Sequence, residues 1–485
     1  MRRAAALLCI ALAAPASAAG ASVPRLAHAG RWLTDVNGRV VILHGLNEVY
    51  KFAPYYPSAA GFGDDDAAFL ARQGFNVVRV GVIWKALEPA PGVYNDAYLS
   101  HIAQTVATLA RHGVLSLLDF HQDLMNERFQ GEGAPDWAIQ DDGLPNPKRG
   151  FPGNYLFNDA LERALDHFWH NDPGPGGVGL QERYAAAWAH VAARFKNVPG
   201  VLGYELYNEP FPGSVWASCA SIAGCPAFDA LLSAFNQRVD MAIRGVDQRT
   251  LLFYEPNVLF NAGVSEYLAP LGDPRAVFAF HDYCLAAIAT GPNASCNVPD
   301  NRVFVNADLH ATRTGDGLLE TEFGATDALP FMLTMANRAD RFMDGWIEWA
   351  YTGNDITTSG SGNVQALVIN PNKPPVGSNV KQRKLLVLAR PYPQAVAGTP
   401  LAYSFDAQSG RFTLRFSTKR ASGHGRFSSL AETLVELPAI QYPSGYTVSV
   451  SGGAVRSAPS ATLLRLRALP GASQVSLTVR RRSRW

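Results

Sequence analysis

Between residues 38 and 351 short apolar runs of β-strand type alternate with segments of helical period, and eight such runs follow one another. The first four are "VVILHGLN" (40–47), "FNVVRVG" (75–81), "VLSLLDFH" (114–121) and "VLGYELYNE" (201–209). The last four are "TLLFYEP" (250–256), "AVFAFHDY" (276–283), "GLLETEFG" (317–324) and "GWIEWAY" (345–351). Between them, "DAYLSHIAQTVATLARHG" sets Leu99, Ile102, Val106 and Leu109 on one helical stripe, and "QERYAAAWAHVAARFK" and "AFDALLSAFNQRVDMAIRGV" keep the same period. Strands apolar throughout belong in a sheet covered on both faces. Eight strand–helix units therefore predict an α/β fold, a closed (β/α)8 TIM barrel, over residues 25–380. The long inserts 122–180, 210–226 and 284–300 each follow a strand, among the loops where such a barrel builds its site.

After residue 352 the pattern changes to short strands with turn signals, beginning with "KLLVLARPYP" at 384, and "SFDAQSGRFTLRF" reads as a hairpin with alternating faces. A C-terminal β-sandwich over 384–482 is expected. At the other end, Arg2 and Arg3, an apolar stretch and Ala16-Ser17-Ala18 spell a signal peptide over residues 1–19. The protein is thus expected to be secreted. Four cysteines then remain, and an even number in an exported chain favours disulfides; Cys219–Cys225 and Cys284–Cys296 each close a short local loop. Asn293-Ala-Ser295 is a glycosylation sequon, meaningful only in a eukaryotic secretory route.

The 42 basic and 41 acidic residues leave a formal charge of +1, so no basic field exists to hold nucleic acid. No apolar run after the leader approaches the roughly 20 residues of a membrane span. No Cys or His cluster points to zinc, and "GDDD" (63–66) reads as acidic residues opening a helix rather than as a metal site.

The ends of the strands carry the chemistry. Strand two ends near Arg79, strand three at His121 with Asp123 beyond, and strand four at Asn208-Glu209. Strand six ends at His281 and Tyr283, strand seven at Glu322, strand eight at Trp349. In a barrel these positions share one rim, and Glu209 faces Glu322 across its mouth. Two carboxylates across a cleft suit glycoside hydrolysis: one protonates the leaving oxygen, the other attacks the anomeric carbon or activates water. The acid needs a raised pKa. Asn208 would bond a sugar hydroxyl, Arg79 and Tyr283 would orient the nucleophile, and Trp349 would offer a stacking face. Glu320 has the strand parity of Glu322 and is expected to face the interior as a deeper carboxylate; Glu205 reads as structural, and Glu348 should point outward.

This set resembles glycoside hydrolase family 5, of clan A, in which Arg, His, Asn-Glu, His-x-Tyr, Glu and Trp occupy successive barrel strands. The resemblance implies that Glu209 is the acid/base and Glu322 the nucleophile, in a retaining enzyme without cofactor or metal. "HGLNEVYKFAPYYP", "LLDFHQD", "YELYNEPFPG" and "TEFGAT" are similar to the endoglycoceramidases, and "RPYPQAVAGTP" to their C-terminal sandwich. That subgroup implies sugar contacts from Lys51 and Asp123, and a glycosphingolipid substrate cleaved between glycan and ceramide. A monomer is expected, with transient contact to membrane surfaces or micelles. Phe52, Tyr55, Tyr56 and Phe62, with Phe129, Trp137 and Trp216, could line an apolar groove for the lipid. A 6-gala-series-specific relative, a polysaccharide hydrolase on the same barrel and a noncatalytic binding protein are the alternatives.

Overall fold

A computed structural model describes residues 25–284, 294–352 and 364–482. The leader, 1–19, and the sequon Asn293 lie outside the described residues. Eight parallel strands close into a barrel: β4 (His44–Glu48), β5 (Val77–Val82), β6 (Leu115–Phe120), β7 (Val201–Glu205), β8 (Leu251–Tyr254), β9 (Ala276–Asp282), β10 (Gly317–Gly324) and β11 (Trp346–Trp349). The three periodic segments form helices Asp96–Arg111, Leu180–Phe195 and Pro226–Arg244 outside it. Inside the barrel a plug of Val77, Leu117, Phe253, Val277, Leu319 and Ile347 fills the lower layers. Polar side chains are thereby confined to the layer nearest the strands' C-terminal ends.

Three short strands precede the barrel: β1 (Ala27–Ala29), β2 (Trp32–Thr34) and β3 (Val40–Val41). They extend a sheet of the C-terminal sandwich, ordered β1-β2-β3-β12-β15-β18-β17. Here β12 is Tyr392–Val396, β15 Glu432–Glu436, β17 Gly453–Val455 and β18 Leu463–Ala468. The facing sheet holds β13 (Thr399–Asp406), β14 (Arg411–Ser417), β16 (Tyr446–Ser451) and β19 (Gln474–Arg481). The expected hairpin is the β13–β14 pair.

Two sequence expectations are corrected. The run 40–47 is two strands, because Ile42 packs into the sandwich core and Leu43 into the barrel plug. In the run from 384 the strand begins only at Tyr392: Gln382–Leu388 is a helix whose Leu385 and Leu388 pack in the large barrel cluster. Lys384 pairs with Glu348 at 2.8 Å, so Glu348 points outward to this helix as expected. "GDDD" does open a helix, Asp64–Arg72, with Asp66 accepting from the Gly63 N–H.

Where barrel meets sandwich, the His44 ring is stacked between Trp346 (4.2 Å) and Tyr392 (3.8 Å), and neither ring nitrogen has a hydrogen-bond partner. Burial, with nearby Arg390, pushes its pKa well below 6.5. The folded protein keeps His44 neutral while the unfolded chain takes up a proton below pH 6.5. Stability is therefore lost as pH falls below that value, until the folded protein's own pKa is reached. As pH falls from 7.5 to 5 the native protein should lose more stability than His44→Phe in denaturant unfolding. Parallel pH curves would refute the assignment.

Candidate active site

Each strand delivers one or two polar groups to the barrel mouth. Arg79 lies in the middle of β5 rather than near the end, because the strand continues to Val82. It is therefore the floor of the site, fully buried. Its guanidinium donates to Glu322 Oε1, to Glu205, to Asn208 Oδ1 (2.9 Å) and to Glu255 Oε1 (3.3 Å), and Asp119 lies 3.1 Å away. Burial disfavours this charge, but the surrounding carboxylates hold its pKa well above the usual value.

Glu322 receives two donors. Arg79 takes Oε1, and the Tyr283 hydroxyl donates to Oε2 at 3.0 Å. Burial, then the Glu322 charge, keep the Tyr283 phenol protonated and available as a donor. The parity expectation for Glu320 fails for a geometric reason. A register shift lies between Glu320 and Glu322, which pair with Phe280 and His281 of β9. The irregularity breaks the alternation, so Glu322 enters the mouth. Glu320 lies instead on the helix side, among Asp282, Asp344 and Arg338.

Glu209 lies four residues past the end of β7, with a left-handed φ of +47°. That conformation costs a side chain of this kind on the order of 1–3 kcal/mol, and sites that hold a reacting group often store such strain. Asn261 Nδ2 donates to Glu209 Oε1 at 2.8 Å, and His281 Nδ1 lies 2.9 Å from the same oxygen. Burial, then the Asp123 charge, raise its pKa to about 7, against the opposing cations His121, Arg79 and Lys51. Ligand atoms of Glu209, His281 and Glu322 all lie within 4.8 Å of one another. Asn208, beside Glu209, accepts from Arg79 and donates from Nδ2 to the Gln122 carbonyl (2.9 Å), which fixes its amide.

A second group flanks this pair. His121 Nδ1 meets Asp119 at 2.7 Å and Nε2 meets Asp123 at 3.3 Å. Burial opposes its charge, yet these carboxylates raise its pKa to about 10, so it is an imidazolium. Lys51 donates to Asp123 and lies 3.6 Å from Glu132. Burial alone would raise the Asp123 pKa; Lys51 and His121 bring it well below the ordinary value. Glu132 arrives through an isolated bridge to Asp123, and a Cβ on the neighbouring Gly131 would come within 1.7 Å of the Asp123 carbonyl. Trp349 closes this side: the Lys51 ammonium lies 4.5 Å from its ring centroid, His121 stacks on it at 5.3 Å, and Nε1 donates to Gln365.

All ten site residues expected from the sequence thus converge. Glu132, Glu255, Asn261 and Gln365 join them and were missed, since none stands at a strand end in a readable motif. Besides Glu209-His281-Glu322, two triads among the described residues, His121-Asp123-Glu132 and Glu205-Glu255-His281, have ligand atoms close enough to share an ion. Lys51 and Arg79 already supply positive charge there. Both expected disulfides are present, tying the loops after β7 and β9.

The predicted groove is only partly realised. Phe62 and Phe129 are buried in the core cluster, because their chain segments turn inward to pack. Trp216 Nε1 donates to Glu162 of the helix Asp159–Trp169, in the insert after β6. Tyr55, Tyr56 and Trp137 do line a cleft of ≈ 680 Å³, together with Pro54, Pro89 and Tyr98. Two of its lining segments begin at Ala53 and Pro135, shortly after Lys51 and Glu132 in the chain, and Lys85, His101 and Asp136 add polar groups to its wall.

The family described as cellulase (glycosyl hydrolase family 5) matches residues 35–355, and the glycoside hydrolase family 5 C-terminal domain matches 390–479. Endoglycoceramidase I of Rhodococcus hoagii (strain 103S) is 35% identical over 468 residues, spanning 93% of this chain and 87% of that protein. Endo-glycoceramidase II from Rhodococcus sp., solved as a lactosyl-enzyme intermediate, is similar with a TM-score of 0.74 and 29% identity, covering 93% of this chain and 100% of that one. The crystal structure of an endogalactoceramidase is similar with a TM-score of 0.71 and 25% identity, over 94% and 99% of the two chains.

Proposed function

The chain belongs to glycoside hydrolase family 5, and from that membership and the geometry of its mouth we propose a secreted, retaining endoglycosidase that cleaves glycosphingolipids between oligosaccharide and ceramide. One observation carries the mechanism: Glu209 and Glu322 bring carboxyl oxygens within 4.8 Å of each other. Retaining pairs stand roughly 5–5.5 Å apart and inverting pairs roughly 6.5–9.5 Å. Glu322, held by Arg79 and Tyr283, is the nucleophile. Glu209, buried and raised to about 7, is the acid.

In the first step Glu322 attacks the anomeric carbon while Glu209 gives its proton to the ceramide oxygen, so the glycosyl–oxygen bond breaks as the glycosyl–Glu322 bond forms. In the second, Glu209, now a carboxylate, takes a proton from water, and the water oxygen displaces Glu322. Asn208 and the Lys51–Asp123–His121 group supply donors and acceptors to the sugar. The likeness to a protein solved as a lactosyl-enzyme intermediate supports the covalent route.

The substrate reading rests on near full-length similarity to endoglycoceramidases and on the cleft. The cleft, walled by Tyr55, Tyr56 and Trp137, is suited to the apolar chains of ceramide. The endogalactoceramidase likeness supports a second reading, cleavage of 6-gala-series glycolipids; the identity of 35% to endoglycoceramidase I favours the first. Proton NMR of the first-formed glycan tests the route. The β-glycoside should give the β-anomer before mutarotation, and an α-anomer would exclude Glu322 as nucleophile.

A further inference from the structure

Glu255 directly follows β8 at the centre of the site and is buried, with 4% of its surface exposed. Its Oε1 accepts from Arg79 at 3.3 Å, and its Oε2 accepts the backbone N–H of Glu209 at 3.2 Å. Oε2 also faces His281 Nε2 at 3.4 Å. That nitrogen makes no hydrogen bond. The other nitrogen, Nδ1, lies 2.9 Å from Glu209 Oε1 and 3.6 Å from Glu322 Oε2. His281 is thus strung between Glu255 on one side and the two reacting carboxyls on the other.

Charge balance decides how many protons this string holds. Asp119, Asp123, Glu132, Glu205, Glu209, Glu255 and Glu322 are all buried around the mouth, and the buried cations among them are Arg79, Lys51 and His121. Seven carboxylates cannot all stay ionised against three cations in a medium of low dielectric. The groups facing Glu255 are Arg79 from β5, Asp119 from β6, Glu205 from β7, Glu209 beyond it, and His281 from β9. One cation thus meets three carboxyls there. Burial first, then Glu205, push the Glu255 pKa well above the usual carboxylate range. Burial lowers His281 to about 4, so its ring carries a single proton.

We propose that Glu255 serves the reaction as a carboxylic acid whose hydroxyl donates a hydrogen bond to His281 Nε2 and keeps its own proton, which fixes the ring's single proton on Nδ1 facing Glu209 and Glu322. Glu255 is a positioning residue: it touches no substrate. The Nδ1–H and the Asn261 amide both bond Glu209 Oε1, which leaves the acid proton on Oε2, free for the leaving oxygen. When Glu209 gives up that proton, the same Nδ1–H supports the new carboxylate. The inference rests on the reading of Glu209 as acid/base.

Two measurements test it. In the intact protein, ring-nitrogen NMR of 15N-His281 should show Nδ1 protonated and Nε2 bare; the reverse tautomer would overturn the proposal. Glu255→Gln keeps a donor for Nε2 but, like Glu255→Leu, loses the acceptor for the Glu209 N–H, so the two variants differ in the donor, and the Gln variant should keep at least about tenfold more kcat/KM on a glycosphingolipid than the Leu variant. Glu255→Leu offers none and should lose about 10²-fold or more on that substrate, and far less on an aryl glycoside whose leaving group needs no proton. A Gln variant as impaired as the Leu variant would show that the charge matters, not the donor, and would overturn the proposal. Failure of the underlying reading looks different: Glu209→Ala would then lose both substrates equally, whatever the His281 tautomer.

Discussion

Glu322→Gln is expected to abolish turnover, on the order of 10⁴–10⁶-fold in kcat, the scale at which loss of a covalent nucleophile is felt. The amide keeps the size of the side chain and its bond to Arg79 or Tyr283, so folding should survive. What disappears is the attacking oxygen anion. Every substrate passes through that step, so an aryl glycoside and a glycosphingolipid should fall together. Circular dichroism and thermal unfolding must match the native protein for the result to count. Residual activity within tenfold of native on either substrate would place the nucleophile elsewhere.

Glu209→Ala should behave differently on the two substrates. Loss of proton donation costs typically about 10²–10⁴-fold, and ceramide, a poor leaving group, should show all of it. An activated aryl group needs little protonation, so its glycosylation step should be largely spared. The intermediate would then accumulate, since no base remains to activate water. Added azide should attack it and give a glycosyl azide of retained configuration. A pH profile adds an independent reading. Native Glu209, raised to about 7, is the required acid only below that pH, so kcat/KM on glycosphingolipid should fall as pH rises through about 7. In Glu209→Ala that limb should vanish for the aryl glycoside. An inverted azide, or an unchanged basic limb, would show that the two glutamates have exchanged roles.

The barrel and the principal carboxylates were legible because they depend on local rules. Apolar runs of strand length alternating with amphipathic helices leave few topologies, and a polar residue at the end of an apolar run has one rim to occupy. Arg79 was legible as a member of the set but not in its depth, because nothing local shows that β5 runs on to Val82. Glu320 was misread because strict alternation assumes an unbroken register, and the irregularity before Glu322 is set by pairing with β9. Glu255 stands after a strand as Glu209 does, but "YEP" carries no amide or aromatic neighbour to mark it. Glu132 reaches the mouth from an insert, and only the close approach of the chain at Gly131 explains its place. The union of β1–β3 with the C-terminal sheet depends on pairing across most of the chain, which no short pattern encodes.

The proposed enzyme is expected to cut a glycosphingolipid once, at the junction of glycan and lipid. The most direct measurement is mass spectrometry of both products after incubating the purified protein with glycosphingolipids of the lacto-, ganglio- and 6-gala-series. Free ceramide and the whole oligosaccharide are expected in equal amounts from the earliest time point. Stepwise loss of single sugars, accumulation of glucosylceramide, or cleavage of cellulose or mannan oligomers with glycosphingolipids left intact would contradict it.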